Sequence, residues 1–202
     1  MPYLGTQPNN VKKNTGLYTP SEILQLEKDG HWGGSLELIE AKTISSSSTA
    51  IFTDIKENVY DVHYLTVENC TVSNDDVPIL MRFFENGVEE SGSVYQRAEW
   101  IIDSGGGSAD FRSTASSALY NIWNIGNGTN ESGCSYTYFY NLGNSSKYSF
   151  ITNQEVHISP TPYQRMTFGG GVLPQASLVD QIKLFVTSGT FSATAKLYGV
   201  KQ

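Results

Sequence analysis

The sequence predicts an all-β fold, a jelly-roll-like antiparallel β-sandwich with a short N-terminal arm and one short helix. Three observations carry this. From Ser35 onward, runs of roughly 6–10 residues rich in Val, Ile, Thr, Tyr and Phe alternate with Gly, Ser, Asn and Asp clusters. Several runs alternate apolar and polar side chains with the period of two that a half-buried strand requires. Only one segment carries the start and stop signals of a helix.

Residues 1–17 form the expected arm: Gln7-Pro8-Asn9-Asn10 and Lys12-Lys13-Asn14 are polar, with Tyr3, Leu4, Val11 and Leu17 as isolated apolar points. Such a segment cannot build its own core. It is either a disordered tail or a strap that orders on a partner. The region 18–33 is expected to hold a short helix and a connector. Thr19-Pro20-Ser21-Glu22 matches a capping box, with proline at the first helical position. Tyr18 is placed to staple onto Ile23, and Gly30 to end the helix. Residues 34–202 are assigned to the sandwich, with strands expected at 35–44, 48–55, 58–68, 77–85, 93–102, 119–125, 134–141, 147–157, 163–169, 180–188 and 190–200. The last two are the clearest: Ile182, Leu184 and Val186 alternate, as do Phe191, Ala193, Ala195 and Leu197. Ser188-Gly189 between them suggests a tight hairpin. Gly105-Gly106-Gly107 suggests a mobile loop.

Composition excludes several function classes. Of 202 residues 16% are charged, and the net charge is −7, which disfavours a nucleic-acid binder built on phosphate contacts. No window approaches the roughly 18 uninterrupted apolar residues of a membrane-spanning helix. The N-terminus has no basic, then apolar, signal-peptide pattern. The sequons at Asn69, Asn127, Asn130 and Asn144 are therefore taken as a by-product of Asn, Ser and Thr abundance. Cys70 and Cys134 lie in no metal-like spacing. They are expected as two buried free thiols, a disulfide being possible only if the fold brings them together.

Catalytic signals are weak. His31, His63 and His157 share no ligand spacing. Asp61 and His63 fall on one strand face and are expected as a hydrogen-bonded surface pair. Asp75-Asp76 is expected in a turn, because the calcium-loop pattern is missing. Glu89-Glu90 looks like a solvated hairpin tip. Gly169-Gly170-Gly171 follows a strand but runs into Val172-Leu173-Pro174, not a helix, which argues against a nucleotide-binding turn. Glu37, Glu68 and Glu99 are too undifferentiated to rank as glycosidase carboxylates. No catalytic, metal or cofactor residue is nominated. The candidate surface is aromatic: Tyr136, Tyr138 and Tyr140 on one strand face, with Tyr148, Tyr163 and Trp123. These residues either stack on sugars, fill a subunit interface, or pack within the fold.

Gly34-Ser35-Leu36-Glu37-Leu38-Ile39-Glu40, Thr43-Ile44 through Phe52-Thr53, and Val59-Tyr60-Asp61-Val62-His63-Tyr64-Leu65 resemble the opening of a β-sandwich domain of marine and cyanobacterial phage virion proteins. Gln181 through Gly189 and Lys196-Leu197-Tyr198-Gly199-Val200 resemble its closing hairpin. Tyr3-Leu4-Gly5-Thr6-Gln7-Pro8, Gly16-Leu17-Tyr18-Thr19 and Gly30-His31-Trp32 resemble the start of such proteins. The resemblance implies a non-enzymatic structural protein on the virion surface, a homotrimer anchored to other capsid or tail proteins. It carries over no catalytic residue. The absence of a shaft fits a short fibre, knob or capsid decoration. The anchoring arm would be Tyr3, Leu4, Val11, Lys12, Lys13 and Leu17. The alternative is a receptor-binding fibre tip, with Tyr136, Tyr138 and Tyr140 contacting a host surface glycan.

Overall fold

The computed structural model describes residues 19–28 and 35–201. The arm residues Tyr3, Leu4, Val11, Lys12, Lys13 and Leu17 lie outside the described residues, as do Tyr18, Gly30, His31 and Trp32. Two units are distinguished, Met1–Ser35 and Leu36–Gln202.

In the first unit, α1 spans Pro20–Lys28. Its start follows the capping-box expectation. The Thr19 N–H donates to Glu22 Oε2 at 2.7 Å, and the Glu22 N–H donates to Thr19 Oγ1 at 3.3 Å. Two otherwise orphaned amide donors are thereby satisfied.

The second unit holds thirteen strands: β1 (Leu36–Ser47), β2 (Thr49–Phe52), β3 (Val62–Val72), β4 (Val77–Glu85), β5 (Val88–Glu89), β6 (Tyr95–Asp103), β7 (Ser108–Ser116), β8 (Leu119–Ile125), β9 (Gly133–Tyr140), β10 (Ser149–Ile158), β11 (Gln164–Leu173), β12 (Val179–Phe185) and β13 (Phe191–Val200). They form an all-β sandwich. The large sheet runs β1-β13-β3-β9-β10-β11-β6-β7, and the small one β2-β12-β4-β5, with β8 also on β4. All pairings are antiparallel. The chain passes repeatedly from one sheet to the other, as in jelly-roll-type sandwiches.

Strand alternation builds the core. Leu65 and Val67 of β3, Phe139 of β9, Ile151 of β10 and Leu197 of β13 point from the large sheet onto Phe52, Ile79, Met81, Phe83, Ile182 and Leu184 of the small one. Polar groups inside are paired where β8 lies on the large sheet. Asn121 Nδ2 donates to Thr137 Oγ1 at 3.1 Å, Thr137 Oγ1 to Asn153 Oδ1 at 2.6 Å, and Ser135 Oγ to Asn121 Oδ1 at 2.9 Å. A buried network of this kind is tolerated because each member finds a partner.

Several expectations need correcting. β12 and β13 are not a hairpin: they belong to different sheets, and residues 186–190 arch between them. Residues 104–107 form a loop, as expected, and the strand after it, β7, is the element the sequence reading lacks. Asp103 O accepts from the Gly106 N–H at 3.2 Å, and the Asp103 N–H donates to Gly107 O at 2.9 Å. The strand it leads into, β7, has no fully buried residue, so its sequence lacks a clean apolar alternation. Gly169-Gly170-Gly171 lies inside β11, where a Cβ on Gly169 would meet the backbone oxygen of Ala98 at 2.3 Å. An unpredicted hairpin joins β4 to β5 through Asn86 (φ 51°) and Gly87 (φ 77°), the left-handed pair that a type I′ turn requires.

Glu89-Glu90 is not a solvated tip. Glu89 is held by Arg82 at 2.9 Å and Lys183 at 2.8 Å; burial raises its pKa, but the hydrogen bonds from Lys183 and Arg82 outweigh that and leave it lowered. Asp61 and His63 do not pair: Asp61 is exposed, whereas His63 is buried with Nε2 2.8 Å from Ile55 O. Both cysteines are free. Cys70 is buried, and burial followed by the nearby Cys134 pushes its thiol up to about 12; Cys134 is partly exposed.

Burial holds the His63 pKa below its ordinary value of 6.5, against the opposing bond to Ile55 O. Above about pH 6.5 the imidazole is neutral in both states and carries no penalty. Below that pH the unfolded chain takes up a proton that the folded one resists, so stability falls until the pH passes the lowered folded pKa. Glu99, whose pKa burial raises against Arg97, contributes a slope of opposite sign as the pH drops toward the ordinary carboxylate range. His63→Gln should therefore lose less stability than the natural chain between pH 7 and pH 5, as measured by urea unfolding. An unchanged difference would contradict this.

Candidate functional site

Alternation puts every second residue of the large sheet on its outer face. The three tyrosines named from sequence all point there from β9. Register places them in cross-strand rows. Tyr198 of β13, Tyr64 of β3 and Tyr138 of β9 stand side by side. The Tyr64 and Tyr138 rings are 4.7 Å apart and tilted by 40°, and Tyr64 and Tyr198 are 6.1 Å apart. Tyr138 and Tyr140 stack at 6.4 Å. Tyr136 Oη donates to Gln154 Oε1, and Tyr140 Oη is 3.1 Å from Thr152 Oγ1. Burial, followed by the neighbouring Tyr138, Tyr136 and Tyr198, raises the Tyr64 pKa, so the phenol stays protonated at neutral pH.

The aromatic surface extends well beyond this ladder. Phe168 of β11 faces Trp100 of β6, and Val156, Met166 and Ile102 form the next row. Phe150, Val156, Phe168 and Trp100 are all exposed, Phe168 at 46% and Trp100 at 42%. Leu36 and Leu38 of β1 are exposed at the far edge of the same sheet. Sequence reasoning missed these because they are spread over β1, β6, β10 and β11, which only strand pairing brings into one sheet. The available signal was alternation in β10, where Phe150 and Val156 fall on the face opposite Ile151. An open hollow of about 730 Å³ lies over Gly170, between Phe150, Val172, Ala98 and Arg112. A second, of about 360 Å³, lies among Tyr64, Glu68, Cys134, Tyr136 and Met166.

The other aromatics named from sequence are not brought to the ladder. Tyr148 and Tyr163 are exposed outside the strands. Trp123 lies on β8, stacked on Tyr120 at 4.4 Å and against Phe111 of β7 at 4.4 Å. The carboxylates are equally dispersed. Glu37 pairs with Lys201, Glu68 with Lys196 and Glu99 with Arg97. Among the described residues no group of three or more His, Cys, Asp and Glu side chains is placed to hold a metal ion. No helix among them is long and apolar enough to cross a membrane.

Comparison with family models, with curated proteins and with solved structures finds no match to this chain.

Proposed function

We propose that this chain is a non-enzymatic structural protein of a phage particle, displayed on the virion surface as a short fibre, knob or capsid decoration. It assembles as a homotrimer through the outer face of the large sheet, and its arm (Tyr3, Leu4, Val11, Lys12, Lys13, Leu17) binds other virion proteins. The observation that carries the assembly is the set of wholly or partly exposed aromatic side chains on that face, with Tyr198, Tyr64, Tyr138 and Tyr136 on one side of Gln154 and Phe168 and Trp100 on the other. Apolar patches of that extent, rimmed by polar residues, mark contact surfaces. A closed ring of three copies buries such a face without a coiled-coil shaft. The virion assignment rests on the sequence resemblance.

Light scattering tests the assembly. The natural chain should weigh three chain masses, and Phe168→Glu with Trp100→Glu should give folded monomers, because both side chains lie outside the core. A natural chain that is monomeric at about 100 μM, well above a micromolar dissociation constant, would overturn the trimer. Deleting residues 1–17 should leave a folded body that no longer enters particles, and normal entry would overturn the anchor.

A second reading, glycan contact by Tyr136, Tyr138 and Tyr140, is favoured by the hollow that Tyr64 and Tyr136 line. Tyr138→Ala on a glycan array tests it, and silence of the natural chain across host surface glycans would remove it.

A further inference from the structure

The large sheet has eight strands and the small one five, so the end carrying β6 and β7 projects past its partner. Beneath the overhang, between the β6–β7 hairpin and β8, lies a cleft of about 450 Å³. It is on the inner side of the large sheet, opposite the tyrosine ladder, and its reading does not depend on the trimer. The volume falls within the roughly 300–1,000 Å³ of small-ligand sites.

Its chemistry is mixed in a specific way. Arg165 of β11 and Asp103 of β6 are direct cross-strand partners, and both line the cleft. Opposite charges so placed ordinarily join, yet among the described residues Arg165 has no ion pair or hydrogen bond. Its Nε is buried without a partner. Asp103 turns instead toward its own hairpin, where Oδ1 accepts from the Gly107 N–H at 2.9 Å. A cation and an anion thus face the same space and stay apart. Phe111 supplies an apolar wall. It is still 37% exposed, and it is backed by Trp123, itself clamped by Tyr120. The floor, Ile101 and Ala109, is apolar. Ser108 and Asn124 line the cleft and add hydroxyl and amide groups.

We propose that this cleft binds an acidic sugar, a hexuronate unit of a polysaccharide. The sugar carboxylate pairs with the free Arg165 guanidinium, a bidentate match in geometry and charge. A ring hydroxyl donates to Asp103, and the apolar face of the pyranose lies on Phe111. A simple anion would make no use of Asp103 or of the Phe111 wall. A neutral sugar would leave Arg165 without its counter-charge.

The test uses the full chain, ¹⁵N-labelled, with the Trp123 indole signal identified by its loss in Trp123→Phe. Methyl β-D-glucuronide should move this signal saturably, with a dissociation constant on the order of 1 mM. Methyl β-D-glucoside, which lacks only the carboxylate, should bind at least about tenfold more weakly, as loss of a charge-assisted pair implies. Arg165→Gln should weaken glucuronide to the glucoside level, and Phe111→Ala should weaken both sugars. Each variant is checked for a native-like spectrum away from the cleft, and either one that folds suffices for the test. No saturable shift at about 50 mM glucuronide, far above the expected constant, would overturn the proposal. So would equal binding of the glucoside, equal binding of acetate, or unchanged glucuronide binding in a folded variant.

Discussion

Phe83→Ala should lower the unfolding free energy by about 3–5 kcal/mol, the range for deleting a fully enclosed aromatic side chain. Phe83 has no exposed surface. It touches Tyr95 at 6.1 Å and Phe139 at 6.0 Å, both edge-on, so its ring ties the small sheet to β6 and β9 of the large one. The site cannot relax easily. The Tyr95 hydroxyl accepts from the Phe83 N–H at 3.0 Å and donates to Glu90 O at 3.0 Å, which pins the second ring in place whether or not the first is present. The void therefore persists, and its cost adds to the lost transfer energy. Urea unfolding should show a lower midpoint with an unchanged slope. Phe168→Ala, on the outer face, should change monomer stability by no more than about 0.5 kcal/mol. Similar losses at the two positions would contradict the assignment of inner and outer faces.

Glu155→Ala should cost about 3 kcal/mol, the upper end for removing one partner of a buried hydrogen bond and leaving the other unsatisfied. His157 Nδ1 and Glu155 Oε2 are 2.7 Å apart, and both side chains are completely shielded. Glu155 Oε1 and His157 Nε2 have no further partner among the described residues, so each group relies on the other. Removing the carboxylate leaves a buried imidazole with nothing to bond. The double replacement Glu155→Leu with His157→Leu should recover much of the loss, because it leaves no polar group to desolvate. Losses in Glu155→Leu and His157→Leu alone that add up to the loss in the double variant would show that the pair is not coupled.

Much of the local structure was legible. The Thr19–Glu22 box and Pro20 locate the start of α1, because capping satisfies amides within a few residues and needs no distant partner. In β13, Phe191, Ala193, Ala195 and Leu197 alternate and all four are buried, as period-two patterning requires. The same logic placed Tyr136, Tyr138 and Tyr140 on one face, where they are found. β7 escaped notice because an overhanging strand buries little, and little burial leaves no apolar alternation to read. The β4–β5 turn went unread although Asn86-Gly87 is a strong short hairpin signal.

The candidate surfaces were only half legible. Tyr136, Tyr138 and Tyr140 lie within one strand, whereas the rows that extend them draw on β3, β6, β10, β11 and β13, and only strand pairing makes those residues neighbours. Trp123 shows the limit in the other direction. By composition it belongs with the tyrosines, but it sits on the inner side, stacked on Tyr120. The cleft depends on Arg165 facing Asp103, 62 positions away in the chain.

From its sequence alone, then, this protein is an all-β chain with one capped helix, with defined inner and outer residues along most strands and a surplus of aromatic side chains. Tertiary structure decided which sheet each strand joins, that β12 and β13 part company across an arch, and which aromatics share a surface. The reason is physical. Side-chain alternation and capping are short-range and written into neighbouring residues, whereas sheet membership is settled by long-range pairing that buries the most apolar surface at once.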